Sequence, residues 1–333
     1  MTRYIRQIIL PEVGEEGQNR LSTAHALIIG AGGLGAPVIQ YLAGAGIGHL
    51  TIVDPDVVDK SNLHRQTIFT ENRIGQSKAK AATTFAKNLN SNIATKAIVD
   101  HLNPNNISAL LNEATIALDC ADSFAVSYIL SDACLNANIP LISASALGLS
   151  GYVGGFCGGA PSLRAVFPDL PDQAANCATA GVLGPVVGTL GAMQAQMALT
   201  TILSIEPSPL GCLTTFDGKT MQSGGFRFDN APEPETALRF IAPETITKDD
   251  FVVELRDEAP TPIRPNALRT TADQFGPDGP RPASGQRAVM VCRSGLRAWA
   301  AASRLTEHWQ GEVVLVAVSS EAASTDQPEG TSP

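Results

Sequence analysis

ALIIGAGGLGAP, residues 26–37, decides the fold. The apolar run at 26–30 predicts a buried strand, and the small residues over 35–46 predict a helix packed closely against it. Between them, Gly30-Ala31-Gly32-Gly33-Leu34-Gly35 predicts a tight turn. A strand, a glycine turn and a helix in that order set free N–H groups and a positive dipole end where phosphate oxygens can approach. The turn by itself suits NAD, FAD and ATP equally.

The residues that follow separate these readings. LTIVD (50–54) predicts a second strand ending at Asp54, a carboxylate placed to accept from ribose hydroxyls. DPDVVDKSNLHRQ (54–66) then brings Asn62 and Arg65, and GQSKAKA (75–81) brings Lys78 at a helix start with Ser77 as N-cap. Hydride transfer develops no new phosphate charge and needs no cations there. Attack at an α-phosphate builds negative charge on the transferring group and on departing pyrophosphate, and Arg65 and Lys78 suit that task. ALDCADS (117–123) ends a later strand with Asp119 and Asp122, where one carboxylate can hold Mg²⁺ through oxygen.

Strand and helix patterns alternate through the first part of the chain. ATKAIV, TIALD, PLISAS, GYVGGFC, CLTTFD and FRF read as strands; Asn103-Pro104 opens a helix, and 181–203 reads as a long one. This predicts an α/β, Rossmann-like domain over 1–228 with a mostly parallel central sheet. The proline-rich, acidic stretch 229–243 predicts a linker, 244–320 a small second α/β domain, and 321–333 a disordered tail.

Bulk properties narrow the partners. A chain of 333 residues with net charge −9 suits two domains and argues against nucleic acid. Six cysteines without a Cys-x-x-Cys pair, and no signal-peptide apolar core, predict a reducing, cytoplasmic setting. The apolar run 181–203 has the length of a membrane span, but Pro185, Gln194, Gln196 and its glycines favour a buried helix and no membrane.

The ordered set RYIRQI, GAGGLG, DPD, SNLHRQ, GQSKA, DCADS and NCATAGVLGP resembles the ThiF/MoeB/HesA family of E1-like activating enzymes, over residues 1 to about 228. The resemblance implies ATP-dependent adenylation of the C-terminal glycine of a ubiquitin-like sulfur carrier of the MoaD/ThiS type, ending in Gly-Gly. It implies that Gly30, Gly32 and Gly33 lie beside the phosphates and that Asp54 binds ribose. Ser61, Asn62, Leu63, His64, Arg65 and Ser123 would line the nucleotide site, with Asn62 and Arg65 on phosphates. Lys78 would stabilise phosphate charge and Asp122 would hold Mg²⁺. Arg6 would enter the partner's site in a homodimer, and Cys177 matches a position that can bond covalently to the carrier, the other reading being an incidental loop cysteine. Ser123 stands where relatives usually carry asparagine. Many relatives also bind a structural zinc through a PCYRCLFP-like stretch; here it reads PSLRAVFP (161–168), with Ser162 and Ala165 in place of thiolates. No zinc is expected, and packing is expected to hold that loop.

AVMVCRSGLRAWAAASRL (288–305) resembles the rhodanese active-site loop, and FVVELR resembles that fold's earlier strand ending in Arg256. Backbone N–H groups around Cys292, a helix N-terminus, Arg293 and Arg297 would lower a thiol pKa and steady a persulfide anion. The resemblance implies sulfur transfer from Cys292 to the acyl-adenylate, with a cysteine desulfurase as donor, in molybdopterin or thiamine biosynthesis. The domain is abbreviated: 257–275 lacks a GHIPGA-like segment. Two other readings compete, an NAD-dependent oxidoreductase and a non-catalytic ATP-binding module.

Overall fold

The structure, a computed structural model, describes residues 3–170 and 181–318. It divides into two compact units, Met1–Ala237 and Leu238–Pro333.

The first unit runs α1 (Ile5–Ile8), α2 (Gly14–Thr23), β1 (His25–Ile29), α3 (Gly35–Ala45), β2 (His49–Val53), α4 (Lys78–Leu89), β3 (Ala94–Ile98), α5 (Ile107–Leu111), β4 (Ile116–Asp119) and α6 (Phe124–Ala137). It continues with β5 (Leu141–Leu147), β6 (Ser150–Phe156), α7 (Leu163–Val166), α8 (Gly184–Leu203), β7 (Cys212–Asp217) and β8 (Gln222–Arg227). One sheet holds all eight strands in the order β3-β2-β1-β4-β5-β6-β7-β8. β3 to β5 run parallel; β6, β7 and β8 are antiparallel additions.

Burial explains the composition of these strands. β1 and β4 are buried at every residue, so they read as unbroken apolar runs rather than alternating ones. β8 is the exposed edge, and its QSGGFR sequence is polar and glycine-rich to match. α8 is long and apolar enough to cross a membrane by length and composition alone. It packs on α3, β5 and β6 and buries Val186, Val187, Leu190, Gly191, Gln194, Ala195 and Ala198. α5 starts three residues later than Pro104 suggests. Asn103 Oδ1 accepts from the N–H groups of Asn105 and Asn106, an Asx-type turn that delays the helix.

The order reverses between β1 and β4, whose successors leave on opposite sides. This is the switch point at which α/β sheets open a crevice beyond the carboxyl ends of their strands. The glycine turn after β1, Asp54 after β2 and Asp122 after β4 all belong to that edge.

The second unit contains β9 (Arg239–Phe240), β10 (Phe251–Glu254), β11 (Leu268–Arg269), β12 (Ala288–Cys292), α9 (Leu296–Thr306) and β13 (Val313–Ala317). Its sheet is parallel throughout, in the order β11-β10-β12-β13-β9. The stretch 229–243 is therefore more than a linker, because Arg239 and Phe240 pair with Val314 and Leu315. A strand of two residues carries no hydrophobic period, which is why the sequence reads as irregular there. The tail 321–333 lies outside the described residues.

Candidate active site

The glycine turn is built by close backbone approach. Gly30 has φ +95°, and a side chain on it would stand 2.7 Å from the Cys120 carbonyl oxygen. A side chain on Gly35 would strike the Gly30 carbonyl. Both positions thus require glycine, and together they bring the start of α3 down onto β1 and β4.

Asp54 is buried and braces the turn. Its Oδ2 accepts from Ala31 N–H at 2.7 Å and its Oδ1 from Asp56 N–H at 2.9 Å. Burial pushes its pKa up, against the opposing pull of the Ala31 N–H. Any ribose contact would share oxygens already engaged by backbone.

Lys78 is the first residue of α4 and is 6% exposed. Its Nζ donates to Asp56 Oδ2 at 2.9 Å, and its backbone N–H donates to Asp56 O at the same distance. An antiparallel bridge, Val57 to Ser77, ties these two segments beside the turn. Ser77 caps α4, its side chain accepting from Lys80 N–H at 3.4 Å. Asp56 escapes a reading from sequence, although the signal was present: a carboxylate two residues beyond Asp54 in DPD.

Lys60–Asn62 folds as a short 3-10 turn leading to Arg65. Asp59 Oδ1 accepts from both the N–H and the hydroxyl of Ser61, whose Oγ accepts in turn from Asn62 Nδ2. Ser61 and Asn62 are thus engaged in shaping the turn. Leu63 packs against the core, while His64 is exposed, with Nε2 at 2.9 Å from Arg65 Nη1. Arg65 Cδ lies 3.5 Å from where a side chain on Gly33 would stand, and Gln66 Nε2 lies 3.6 Å from the same position on Gly32. The structure therefore brings Arg65, Gly32 and Gly33 together. Gln66 was missed by sequence reasoning.

The aspartate that ends β4 and the one just beyond it part company. Asp119 is buried, its oxygens accepting from Ser143 Oγ at 2.8 Å and Ala121 N–H at 3.3 Å, and burial raises its pKa. Asp122 is exposed. Oxygen ligation of a hard cation suits the exposed carboxylate, not the one already committed to the fold. Ser123 occupies the N-cap of α6 without a side-chain cap bond. Below it, Gln194 of α8 is fully buried and donates to the carbonyls of Asp119 and Ile142.

Arg6 is exposed in α1. Tyr4 packs on Gly46, and Gln7 donates to Ala45 O, so α1 is anchored at the C-terminal end of α3. α3 has 11 residues, about 16 Å of helix, and the glycine turn lies at its other end. Cys177 lies outside the described residues.

The segment 161–168 is held by polar bonds, a correction to the expectation of packing alone. Ser162 donates its N–H and its hydroxyl to the Glu233 carboxylate, each at 2.6 Å. Arg164 makes a bidentate pair with Asp132 at 2.6 and 2.9 Å and stacks over the Tyr128 ring. Cys120, Cys134 and Cys157 are buried and Cys212 is half-buried.

In the second unit, Cys292 is fully buried at the end of β12. Its Sγ accepts from Gly295 N–H at 3.1 Å and Ala298 N–H at 3.3 Å, the cradle read from the sequence. Two of the arginines around it are already paired. Arg256 is tied to buried Glu254 at 2.7 Å, and Arg297 to Asp257 and Glu258 at 2.7 and 2.6 Å. Although burial alone would raise the Glu254 pKa, the Arg256 guanidinium holds it below the usual range. Arg293 is exposed.

Comparison with known proteins agrees with this architecture. The chain is 42% identical over 223 residues to "Adenylyltransferase and sulfurtransferase MOCS3" of Drosophila sechellia, covering 66% of this chain and 49% of that protein. It is 44% identical over 218 residues to the protein of that name in Sus scrofa, covering 65% and 48%. The chain spans about half the length of these curated relatives. Among solved structures, E. coli MccB with ATP superposes with a TM-score of 0.60 at 22% identity, covering 71% of this chain and 74% of that one. PaaA superposes with a TM-score of 0.58 at 21% identity, covering 68% and 72%. Both share the fold. The ThiF family profile matches residues 4–238, a span that runs almost the whole of the first unit, and the chain accordingly belongs to the ThiF family.

Proposed function

We propose that this chain uses ATP to adenylate the C-terminal carboxylate of a ubiquitin-like sulfur carrier, and that Cys292 supplies the sulfur that replaces AMP. The observation that carries the first step is the buried Lys78, bound to Asp56 beside the glycine turn. A buried ammonium whose ion-pair partner among the described residues is a solvent-exposed carboxylate is costly to keep for stability alone. Next to a phosphate-sized turn it neutralises charge that forms during attack at phosphorus.

In this reading a carboxylate oxygen attacks the α-phosphorus, the bond to the β-phosphate bridge breaks, and pyrophosphate leaves with the electron pair. The attacking carboxylate is ionised at neutral pH, so no general base is required. Arg65 and Lys78 position and stabilise phosphate charge, and Arg6 acts in the partner of a homodimer. Exposed Asp122 would hold Mg²⁺, which lowers the charge on the phosphates when bound.

For the second step, the N–H groups of Gly295 and Ala298 donate to the Cys292 sulfur and hold it at the end of β12. The terminal sulfur of a Cys292 persulfide attacks the acyl carbon, and AMP leaves. A second thiol then attacks the Cys292 sulfur of the acyl disulfide, releasing the thiocarboxylate and leaving a disulfide. A cysteine desulfurase, transferring sulfur as a persulfide, would recharge Cys292 once that disulfide is reduced. Carrier-dependent exchange of labelled pyrophosphate into ATP tests the first step. No exchange with either MoaD-type or ThiS-type carriers would overturn it.

A further inference from the structure

Gln66 follows Arg65 and is 3% exposed. Its backbone is paired on both sides: the N–H donates to Asn62 O, and the carbonyl accepts from Phe69 N–H. Its side-chain oxygen is not. Among the described residues, Gln66 Oε1 is the buried side-chain polar atom left without a hydrogen-bond partner. The other end of the same amide, Nε2, rests 3.6 Å from where a side chain on Gly32 would stand. Buried amide oxygens are nearly always paired, and leaving one unpaired opposes folding. A group kept in that condition against the wall of a binding turn is one whose partner arrives with a ligand.

The chemistry of that partner is narrow. Oε1 accepts and therefore requires an N–H or O–H, while Nε2 donates and requires an oxygen. Phosphate oxygens at neutral pH offer acceptors, so a triphosphate satisfies one end of the amide and leaves Oε1 as it is. A polypeptide in extended conformation offers what both ends require. The N–H and C=O of a single extended residue point the same way, as they do along a β-ladder. The final torsion of a glutamine is broad, so the amide can turn both of its ends toward such a residue.

We propose that Gln66 recognises the backbone of the acyl substrate's tail. The N–H of the tail's penultimate residue donates to Oε1, and the C=O of that residue accepts from Nε2. The last residue is then fixed one step further on, with its carboxylate toward the phosphates at Gly32 and Gly33. This assignment rests on the adenylation reading above and names how that site holds its second substrate. Gln66 is specific for an extended main chain and indifferent to side chains, which fits a tail of glycines.

The test uses the full chain, ATP and recombinant MoaD-type or ThiS-type carrier ending in Gly-Gly. Gln66→Met keeps the shape and removes both hydrogen-bonding ends. Its Michaelis constant for carrier should rise about tenfold or more while that for ATP stays within about twofold. Without ligands its Tm should hold or rise by about 2–4 °C, because an unpaired buried acceptor has been removed. A carrier whose penultimate glycine is N-methylated lacks the donor. The unsubstituted chain should lose about as much with that carrier, and Gln66→Met should lose little more. A rise in the ATP constant instead, equal losses on N-methylation in both proteins, or a Tm lowered by several degrees each overturns the assignment. Absence of exchange in the unsubstituted chain overturns the adenylation reading itself; exchange with carrier affinity unchanged in Gln66→Met overturns only the role of Gln66.

Discussion

Lys78 Nζ lies 2.9 Å from Asp56 Oδ2, yet the lysine side chain is 8% exposed and the aspartate 64%. The ammonium is fixed inside the protein while its counter-charge reaches into solvent. A phosphate arriving at the glycine turn can take over that counter-charge with little cost to the aspartate, which is already hydrated.

Two substitutions separate these roles. Lys78→Ala should reduce pyrophosphate exchange by about a hundredfold or more, the usual cost of losing a fixed charge at a developing anion. Asp56→Asn should leave exchange within about tenfold, lower the Tm of the ligand-free protein, and enlarge the rise in Tm caused by ATP. Thermal shift with and without nucleotide measures this; an ATP-induced rise no larger than in the unsubstituted chain would contradict it.

Arg6 is anchored at the far end of α3 from the glycine turn, so it has no route to its own chain's site through α1. If it serves the site of a partner, Arg6→Ala and Lys78→Ala should each be inactive alone and active when mixed. Random exchange of protomers gives half mixed dimers with one intact site each, about a quarter of full activity. A mixture as inactive as its components would remove Arg6 from the mechanism.

Much of the site was legible because the chemistry is local in sequence. Glycine positions report backbone approach, Asp54 ends a buried strand, and Lys78 follows a serine cap. The parallel part of the sheet was legible for a related reason: strands buried on both faces leave runs such as HALII and IALD that do not alternate. The partners in long-range pairs were not. Nothing near Ser162 announces Glu233, because 71 positions separate them and only folding brings them together. The same holds for Gln194 beneath Asp119, and for the acidic pair on Arg297. β9 was hidden because two residues are too few to carry a pattern.

The Ser162 to Glu233 bonds hold the segment in which the sequence carries Ser162 and Ala165 and no thiolate pair, and they make a prediction about metal. Prolonged chelation should leave the Tm unchanged. Ser162→Ala removes a hydroxyl that both donates to Glu233 and accepts from Arg164 N–H, and it should cost about 1–2 kcal/mol. Loss of stability on chelation would show a metal bound elsewhere in the chain.

Cys292→Ala offers the cleanest division of labour between the two units. Pyrophosphate exchange should stay within about twofold, since attack at phosphorus involves no sulfur. Thiocarboxylate formation on the carrier, read as a mass gain of about 16 Da from oxygen-to-sulfur replacement, should disappear. Persistence of that product would mean that sulfur reaches the acyl-adenylate from another protein.

His25 and His49 make the last prediction, at the opposite end of the parallel strands from the glycine turn. Their rings stack with centroids 4.4 Å apart, paired directly across β1 and β2. His25 Nε2 is 2.8 Å from Thr51 Oγ1. Burial first, and the neighbouring His49 second, lower the His25 pKa, while Glu113 pulls the other way and Lys96 reinforces the lowering. In the unfolded chain His25 takes up a proton near pH 6.5. Between that value and the lower folded value the unfolded state binds more protons, so stability falls as pH falls. The contribution is fully present above about pH 6.5 and is lost on descending to the folded pKa. A series of Tm values from pH 7.5 to 5.5 should therefore decline, and His25→Gln, which keeps a hydrogen-bonding partner for Thr51 without titrating, should flatten that decline. A slope unchanged by the substitution would place the acid sensitivity in other groups.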